Sequence, residues 1–218
     1  MDPIANYIEH TLLRADATTT DIEKLCAEAL QYRFIGVCVN GSWVRHARLC
    51  LQDTNVKIVS VAGFPLGASS TAAKRFETET AIADGAQEID AVLHIGRLKQ
   101  RDNAYVLAEL REIVQAAAAR PVKVIIETCL LNEEEKIRAC RLTVDSGAHF
   151  VKTSTGFSAG GAMVDDVALM RKTVGREFGV KASGGIRDAK TALAMISAGA
   201  TRIGTSAGIA IVRGLSDK

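Results

Sequence analysis

The segment ADGAQEIDAV (Ala83–Val92) closes a helix-like run, passes through one glycine and one alanine, and opens a strand-like run. DSGAHFVKTS (Asp145–Ser154) and SAGATRIGTS (Ser197–Ser206) repeat that order, with Gly147 and Gly199 in the place of Gly85. Glycine just past a helix takes the left-handed conformation that ends it, with no Cβ penalty. A strand that begins two or three residues later is an ordinary helix-to-strand connection. Three such junctions set a helix–glycine–strand rhythm, and the rest of the chain can be tested against it.

The flanking runs obey the rhythm. Within TTTDIEKLCAEALQ (Thr18–Gln31), Ile22, Leu25, Cys26, Ala29 and Leu30 recur at helical spacing and form one apolar face. Thr18 to Asp21 supply capping hydroxyls and an acidic first turn, and Asn132 with Glu135 forms the pattern of a capping box. Seven runs read as strands: FIGVCV (34–39), KIVSVAG (57–63), EIDAVLHIG (88–96), VKVIIETC (122–129), HFVKTSTG (149–156), GVKASGG (179–185) and TRIGTSAG (201–208). A shorter candidate, YIEHTLL (7–13), precedes the first helix. These runs are short and nearly continuous in apolarity, as suits a parallel sheet buried under helices on its faces. About eight β/α units is the count of a closed TIM (β/α)8 barrel. The expectation is therefore an α/β chain, one barrel domain over 1–218 with a short N-terminal segment. An open doubly wound sheet is the alternative; no G-x-G-x-x-G follows the first strand to favour it.

Composition narrows the function classes. The 218 residues are 48% hydrophobic and 24% charged, enough for one sizeable core. The net charge of +2, with no basic block, argues against nucleic-acid and membrane-surface partners. MDPIANYIEH has an early acid and no apolar run, so it does not read as a secretory signal. No stretch approaches the roughly 20 apolar residues of a membrane span. Five cysteines, an odd number with no CxxC pair, fit free thiols in a reducing cytoplasm.

In a barrel, active residues gather at the carboxyl ends of the strands. Glu9, Asp90, Glu127, Lys152 and Lys181 are ionisable residues set in strand runs where an apolar side chain would pack better. Several of them converging on one barrel mouth would mark a functional site. The lysine pair is the most informative. With a pKa of about 10.4, only about one free lysine in a thousand is a neutral nucleophile near pH 7. A second ammonium nearby, together with desolvation, disfavours the charged form. Lys152 and Lys181 can thus supply an amine for a Schiff base, with Asp90 relaying protons. The plain structural alternative is two ion pairs, Lys152–Asp90 and Lys181–Glu127.

Two glycine clusters suggest what else is bound. SGGIR (Ser183–Arg187) ends one strand and enters a helix near Asp188; GTSAG (Gly204–Gly208) does the same at the next strand. Backbone N–H groups at such turns cradle phosphate, and barrels often hold phosphate after their last two strands. Alternatively, both are tight turns that need glycine for geometry alone. Cys38, in GVCVNGSW, either faces the barrel mouth or is a buried inert thiol. His10 and His94 have no ligand spacing around them, so no metal site is read, and they stand as polar contacts or core histidines. Trp43 and the Arg45–Arg48 charges read as helix packing and surface.

Taken in order, HTLL, GVCVN, VAGFPLGASST, AIADGAQEIDAV, VKVIIETCLL, FVKTSTGF, VKASGGIRD and ATRIGTSAG resemble the deoxyribose-phosphate aldolase family over nearly the whole chain. The resemblance implies a class I aldolase on a TIM barrel, with no metal or organic cofactor. It implies small-molecule partners, a phosphorylated sugar and aldehydes, and a homo-oligomer, dimer or tetramer. Lys152 matches the family's Schiff-base lysine, Lys181 the second lysine beside it, and Asp90 the acid that works with them. Thr155, Gly156, Gly184, Gly185, Gly204 and Ser206 match positions around the sugar phosphate, with Arg187 nearby, and Cys38 matches a pocket-lining cysteine. Three positions depart from the pattern: Glu9 stands where aspartate is usual, His94 where asparagine is usual, and Gly41 where proline is usual.

Overall fold

A computed structural model describes residues 3–216; the other four residues of the expected 1–218 domain lie outside the described residues. Eight parallel strands close on themselves in chain order: β1 (Ile8–Leu12), β2 (Gly36–Val39), β3 (Lys57–Ala62), β4 (Glu88–Val92), β5 (Val122–Ile125), β6 (Phe150–Lys152), β7 (Gly179–Ser183) and β8 (Arg202–Thr205). β1 pairs with β8, which excludes the open doubly wound sheet. The expected barrel is present, and a short 3-10 turn, Ile4–Tyr7, precedes its first strand.

The helices are α1 (Thr19–Tyr32), α2 (Val44–Cys50), α3 (Thr71–Asp84), α4 (Ile95–Lys99), α5 (Asn103–Ala116), α6 (Glu133–Asp145), α7 (Val164–Val174), α8 (Ala189–Ser197) and α9 (Gly208–Ser216). None of the described helices is long and apolar enough to cross a membrane. The junction glycines adopt the expected conformation, with φ of +114° at Gly85, +82° at Gly147 and +111° at Gly199. Both anticipated helix starts form capping boxes, Thr18 with Asp21 and Asn132 with Glu135.

Side chains alternate between the two faces of each strand, which in a barrel are the helix layer and the interior. Val37, Val39, Ile89, Ala91, Val122, Val124, Val151, Val180, Ala182 and Ile203 all join the main apolar core against the helices. The interior set is different. Leu13, Cys38, Val59 and Val61, with Phe64, form a small apolar cluster on one side of it. The other side holds charge. Cross-strand register sets Asp90 beside Lys123, Lys152 beside Lys181, and Lys181 beside Arg202. The sequence reading took the strands as apolar on both faces; the interior between β4 and β8 departs from that. The carboxyl end of β4 is also tied from outside, where buried Lys74 of α3 donates to the Val92 carbonyl at 2.9 Å and pairs with Glu109 of α5 at 2.9 Å.

Candidate active site

One carboxylate oxygen organises the interior. Asp90 Oδ2 accepts from Lys152 Nζ at 2.7 Å and from Lys181 Nζ at 2.6 Å. Asp90 Oδ1 accepts from Lys123 Nζ at 3.0 Å. Below this layer, Lys123 ion-pairs with Glu88 at 2.5 Å, and Arg202 reaches Glu9 at 3.2 Å and Glu88 at 3.6 Å. Glu9 also takes the Lys181 ammonium on its second oxygen and lies 3.4 Å from Lys123. Lys123, Lys181, Asp90 and Glu9 are fully buried, and Lys152 is 3% exposed.

These groups set one another's charge. Burial alone would raise the Asp90 carboxyl, but Lys123, Lys152 and Lys181 outweigh it and hold it well below the usual carboxylate range. Glu9 is likewise pushed up by burial and pulled lower overall by Lys123 and Lys181. Burial would lower the Lys181 amine, yet Asp90 and Glu9 lift it above the ordinary lysine value. Lys181 is thus a fixed ammonium that shares an acceptor oxygen with Lys152.

The Lys181–Glu127 pair of the plain structural alternative does not form. Glu127, two residues past β5, turns its carboxylate toward Thr155, accepting from the Thr155 backbone N–H at 3.2 Å and from its hydroxyl. Lys181 finds Glu9 instead, because β1 and β7 both flank β8 and the longer glutamate spans the gap. The other pair of that alternative, Lys152–Asp90, is present.

Lys152 opens upward into a cavity of about 300 Å3. Its walls include every remaining anticipated position except Cys38: Thr155, Gly156, Gly184, Gly185, Arg187, Gly204 and Ser206. Gly184 and Gly185 both hold left-handed backbone, φ +87° and +78°, which turns SGGIR sharply above the barrel. Asp188 then caps α8, accepting from the Thr191 N–H at 2.8 Å. Arg187 makes no ion pair among the described residues, so its guanidinium is uncommitted at the rim. Gly204 lies in β8 rather than in the turn after it. A Cβ there would stand 2.9 Å from Lys181 Cε, so this glycine makes room for the lysine.

Asp90, Lys181 and Cys38 lie one layer beneath the cavity. Cys38 is wholly buried beside Val59 and Leu13, and burial pushes its thiol up to about 11. It therefore does not line the pocket, because its place on β2 puts it beneath the mouth. Of the departures, Glu9 joins the lysine network directly. His94 instead caps α4, its Nδ1 accepting from the Arg97 N–H at 3.3 Å, and a Cβ at Gly41 would meet only the Ser60 hydroxyl, at 3.9 Å. His10 bonds Glu28 at 2.8 Å, the polar contact anticipated for it.

The sequence reading missed Thr11, Leu12, Leu13, Arg14 and Phe157 as cavity walls. Phe157 is exposed and meets Phe64 edge-on at 5.2 Å. It also missed Lys123, although a lysine inside VKVIIETC carries the same signal as one inside HFVKTSTG.

A cationic pair thus shares one buried carboxylate below a glycine-lined pocket, and comparisons with known proteins show the family of the chain that carries it. Residues 4–214 match the profile of the DeoC/LacD family aldolases. The chain belongs to that family. It is 59% identical over 215 residues to a deoxyribose-phosphate aldolase of Alkaliphilus oremlandii, covering 98% of this chain and 97% of the relative. It is 57% identical over 211 residues to that of Bdellovibrio bacteriovorus, covering 97% and 96%. A tetrameric deoxyribose phosphate aldolase structure from Aeropyrum pernix superposes with a TM-score of 0.91 at 32% identity, covering 98% of this chain and 91% of the other. DeoC/LacD membership makes the chain an aldolase, a carbon–carbon lyase, as the sequence resemblance implied.

Proposed function

We propose that this aldolase reversibly cleaves 2-deoxy-D-ribose 5-phosphate to acetaldehyde and D-glyceraldehyde 3-phosphate through a Schiff base on Lys152. The observation that carries the reading is that Asp90 Oδ2 binds both lysine amines while only Lys152 reaches the cavity. In the synthetic direction, the Lys152 amine attacks the acetaldehyde carbonyl. Asp90 and Lys181 exchange protons with the departing hydroxyl, which leaves as water. The resulting iminium accepts the electron pair released when a methyl proton is lost, giving an enamine. That carbon bonds to the aldehyde carbon of glyceraldehyde 3-phosphate, and hydrolysis frees Lys152. Gly184, Gly185, Arg187 and Ser206 hold the phosphate, whose binding energy orients the reacting aldehyde.

The chain works as one barrel domain and assembles as a homo-oligomer, dimer or tetramer, in the cytoplasm. Five free thiols, and the assembly named for the Aeropyrum pernix relative, support that part of the reading.

Borohydride reduction in the presence of acetaldehyde tests the chemistry and its location together. Mass spectrometry should find one ethyl adduct, on the peptide that carries Lys152. No adduct, or an adduct elsewhere, refutes the assignment; a sugar-phosphate isomerase on the same barrel would form none.

A further inference from the structure

We infer that Glu127 is a positioning residue for this pocket: it fixes Thr155 so that the hydroxyl faces a bound substrate as an acceptor. The inference rests on the aldolase reading above. Ile126 N–H bonds the Lys152 carbonyl at 3.0 Å and Thr128 N–H bonds the Thr153 carbonyl at 2.9 Å. The flanking residues thus meet consecutive carbonyls of the neighbouring segment, and Glu127 is the extra residue between them, a β-bulge. Its φ of +52° is left-handed backbone, which glycine adopts most readily. A strained glutamate at such a place implies that its side chain is needed there.

That side chain is 1% exposed and pairs with no lysine or arginine among the described residues. Its carboxylate is instead turned onto one residue, taking the Thr155 N–H at 3.2 Å and the Thr155 hydroxyl proton. A threonine hydroxyl has one proton and two acceptor sites. Glu127 takes the proton, and the Phe157 N–H occupies one acceptor site at 3.0 Å. One acceptor site is left, on a residue that lines the cavity beside Lys152. It selects a substrate group that donates, a hydroxyl of the sugar or of the acceptor aldehyde, over one that only accepts.

The test uses Glu127→Gln and Glu127→Gly in the full chain, with two readouts. Acetaldehyde trapping at Lys152 needs no hydroxyl contact and should stay within about twofold of the unaltered enzyme. Cleavage of deoxyribose 5-phosphate should lose about tenfold to a hundredfold in kcat/KM. Glycine suits this φ, so that variant carries the test if the glutamine variant fails to fold. The unaltered enzyme should also prefer glyceraldehyde 3-phosphate over the same acceptor lacking its 2-hydroxyl, and folded variants should lose that preference. Unchanged cleavage in the variants overturns the inference, as do trapping and cleavage falling in parallel, or no hydroxyl preference in the unaltered enzyme. Failure of the unaltered enzyme to trap acetaldehyde is a separate result, and it removes the Schiff-base reading itself.

Discussion

Replacing Gly204 by alanine separates two explanations of the same glycine. If it serves the phosphate turn, the change should weaken substrate binding. If it makes room for Lys181, the change should damage the chemical step. The geometry favours the second. A Cβ at this position would stand 2.9 Å from Lys181 Cε, 3.0 Å from Ser183 Cβ and 3.7 Å from Lys181 Nζ. Ordinary carbon contacts need about 3.5–4.0 Å, so the lysine stem must retreat by roughly 0.6–1 Å. It has nowhere to go freely, because it is fully buried and Asp90 and Glu9 hold its amine. Overpacking of this kind costs about 1–3 kcal/mol of stability. A shift of about 1 Å at a proton-transferring group can cost about a hundredfold in rate, equivalent to about 2.7 kcal/mol of barrier. Steady-state cleavage of deoxyribose 5-phosphate should therefore show kcat down by about tenfold to a hundredfold with KM nearly unchanged. Urea unfolding should show the stability loss in the same preparation. A normal kcat with a raised KM would return Gly204 to the phosphate turn, and no change in either would refute the crowding argument.

Four further outcomes follow from the same geometry. Lys152→Met should abolish acetaldehyde trapping and turnover while the melting curve stays cooperative; residual trapping would move the nucleophile elsewhere. Lys181→Leu strips a buried cation from Asp90 and Glu9, a change that typically costs about 3–5 kcal/mol, so Tm and kcat should fall together; a variant normal in both would deny Lys181 its place in the network. Arg187→Ala should raise KM about tenfold for deoxyribose 5-phosphate and leave free deoxyribose unaffected, since it removes one charge-assisted contact; equal effects on both sugars would take the arginine off the phosphate. Asp90 and Glu9 are held below their ordinary values of 3.8 and 4.5 in the fold, so the unfolded chain binds protons first as pH falls. Their stabilisation is complete above about pH 5 and is lost progressively below it, which urea midpoints measured between pH 6 and 3 should show as a steady decline.

How much of this was legible in the sequence depends on what kind of signal each feature leaves. The junction glycines declare themselves because a left-handed residue after a helix nearly demands glycine, and Gly85, Gly147 and Gly199 all take that backbone. Lys152 stood out because a charge interrupts an apolar strand. Lys123 gives the same signal, and its role became visible only when the register set it beside Asp90. Arg202 and Glu88 were harder, since each is the first residue of its strand and reads as an edge. The partner of Lys181 was unreadable in principle. Glu9 lies 172 positions away along the chain, and only closure of β1 onto β8 brings the two together. Cys38 shows the converse limit, because a motif can place a residue in the right strand without saying which layer of the barrel it occupies.

The layer beneath the cavity also supports the proposal that Lys152, of the cations in this layer, is the one that bonds carbon. Among the described residues, Lys123, Lys152, Lys181 and Arg202 share three carboxylates, Glu9, Glu88 and Asp90. One cation is therefore in excess. Lys123 touches all three acids, Lys181 touches Glu9 and Asp90, and Arg202 touches Glu9 and Glu88. Lys152 touches Asp90 alone. Engaging Lys181 or Lys123 in a covalent bond would strip two or three buried acids of a partner, and a buried charge left unpaired is costly. Engaging Lys152 leaves Asp90 held by Lys123 and Lys181, with Glu9 and Glu88 untouched. The surplus cation is thus the one that faces the cavity, and the chemistry can proceed there without disturbing the charges that hold the barrel interior together.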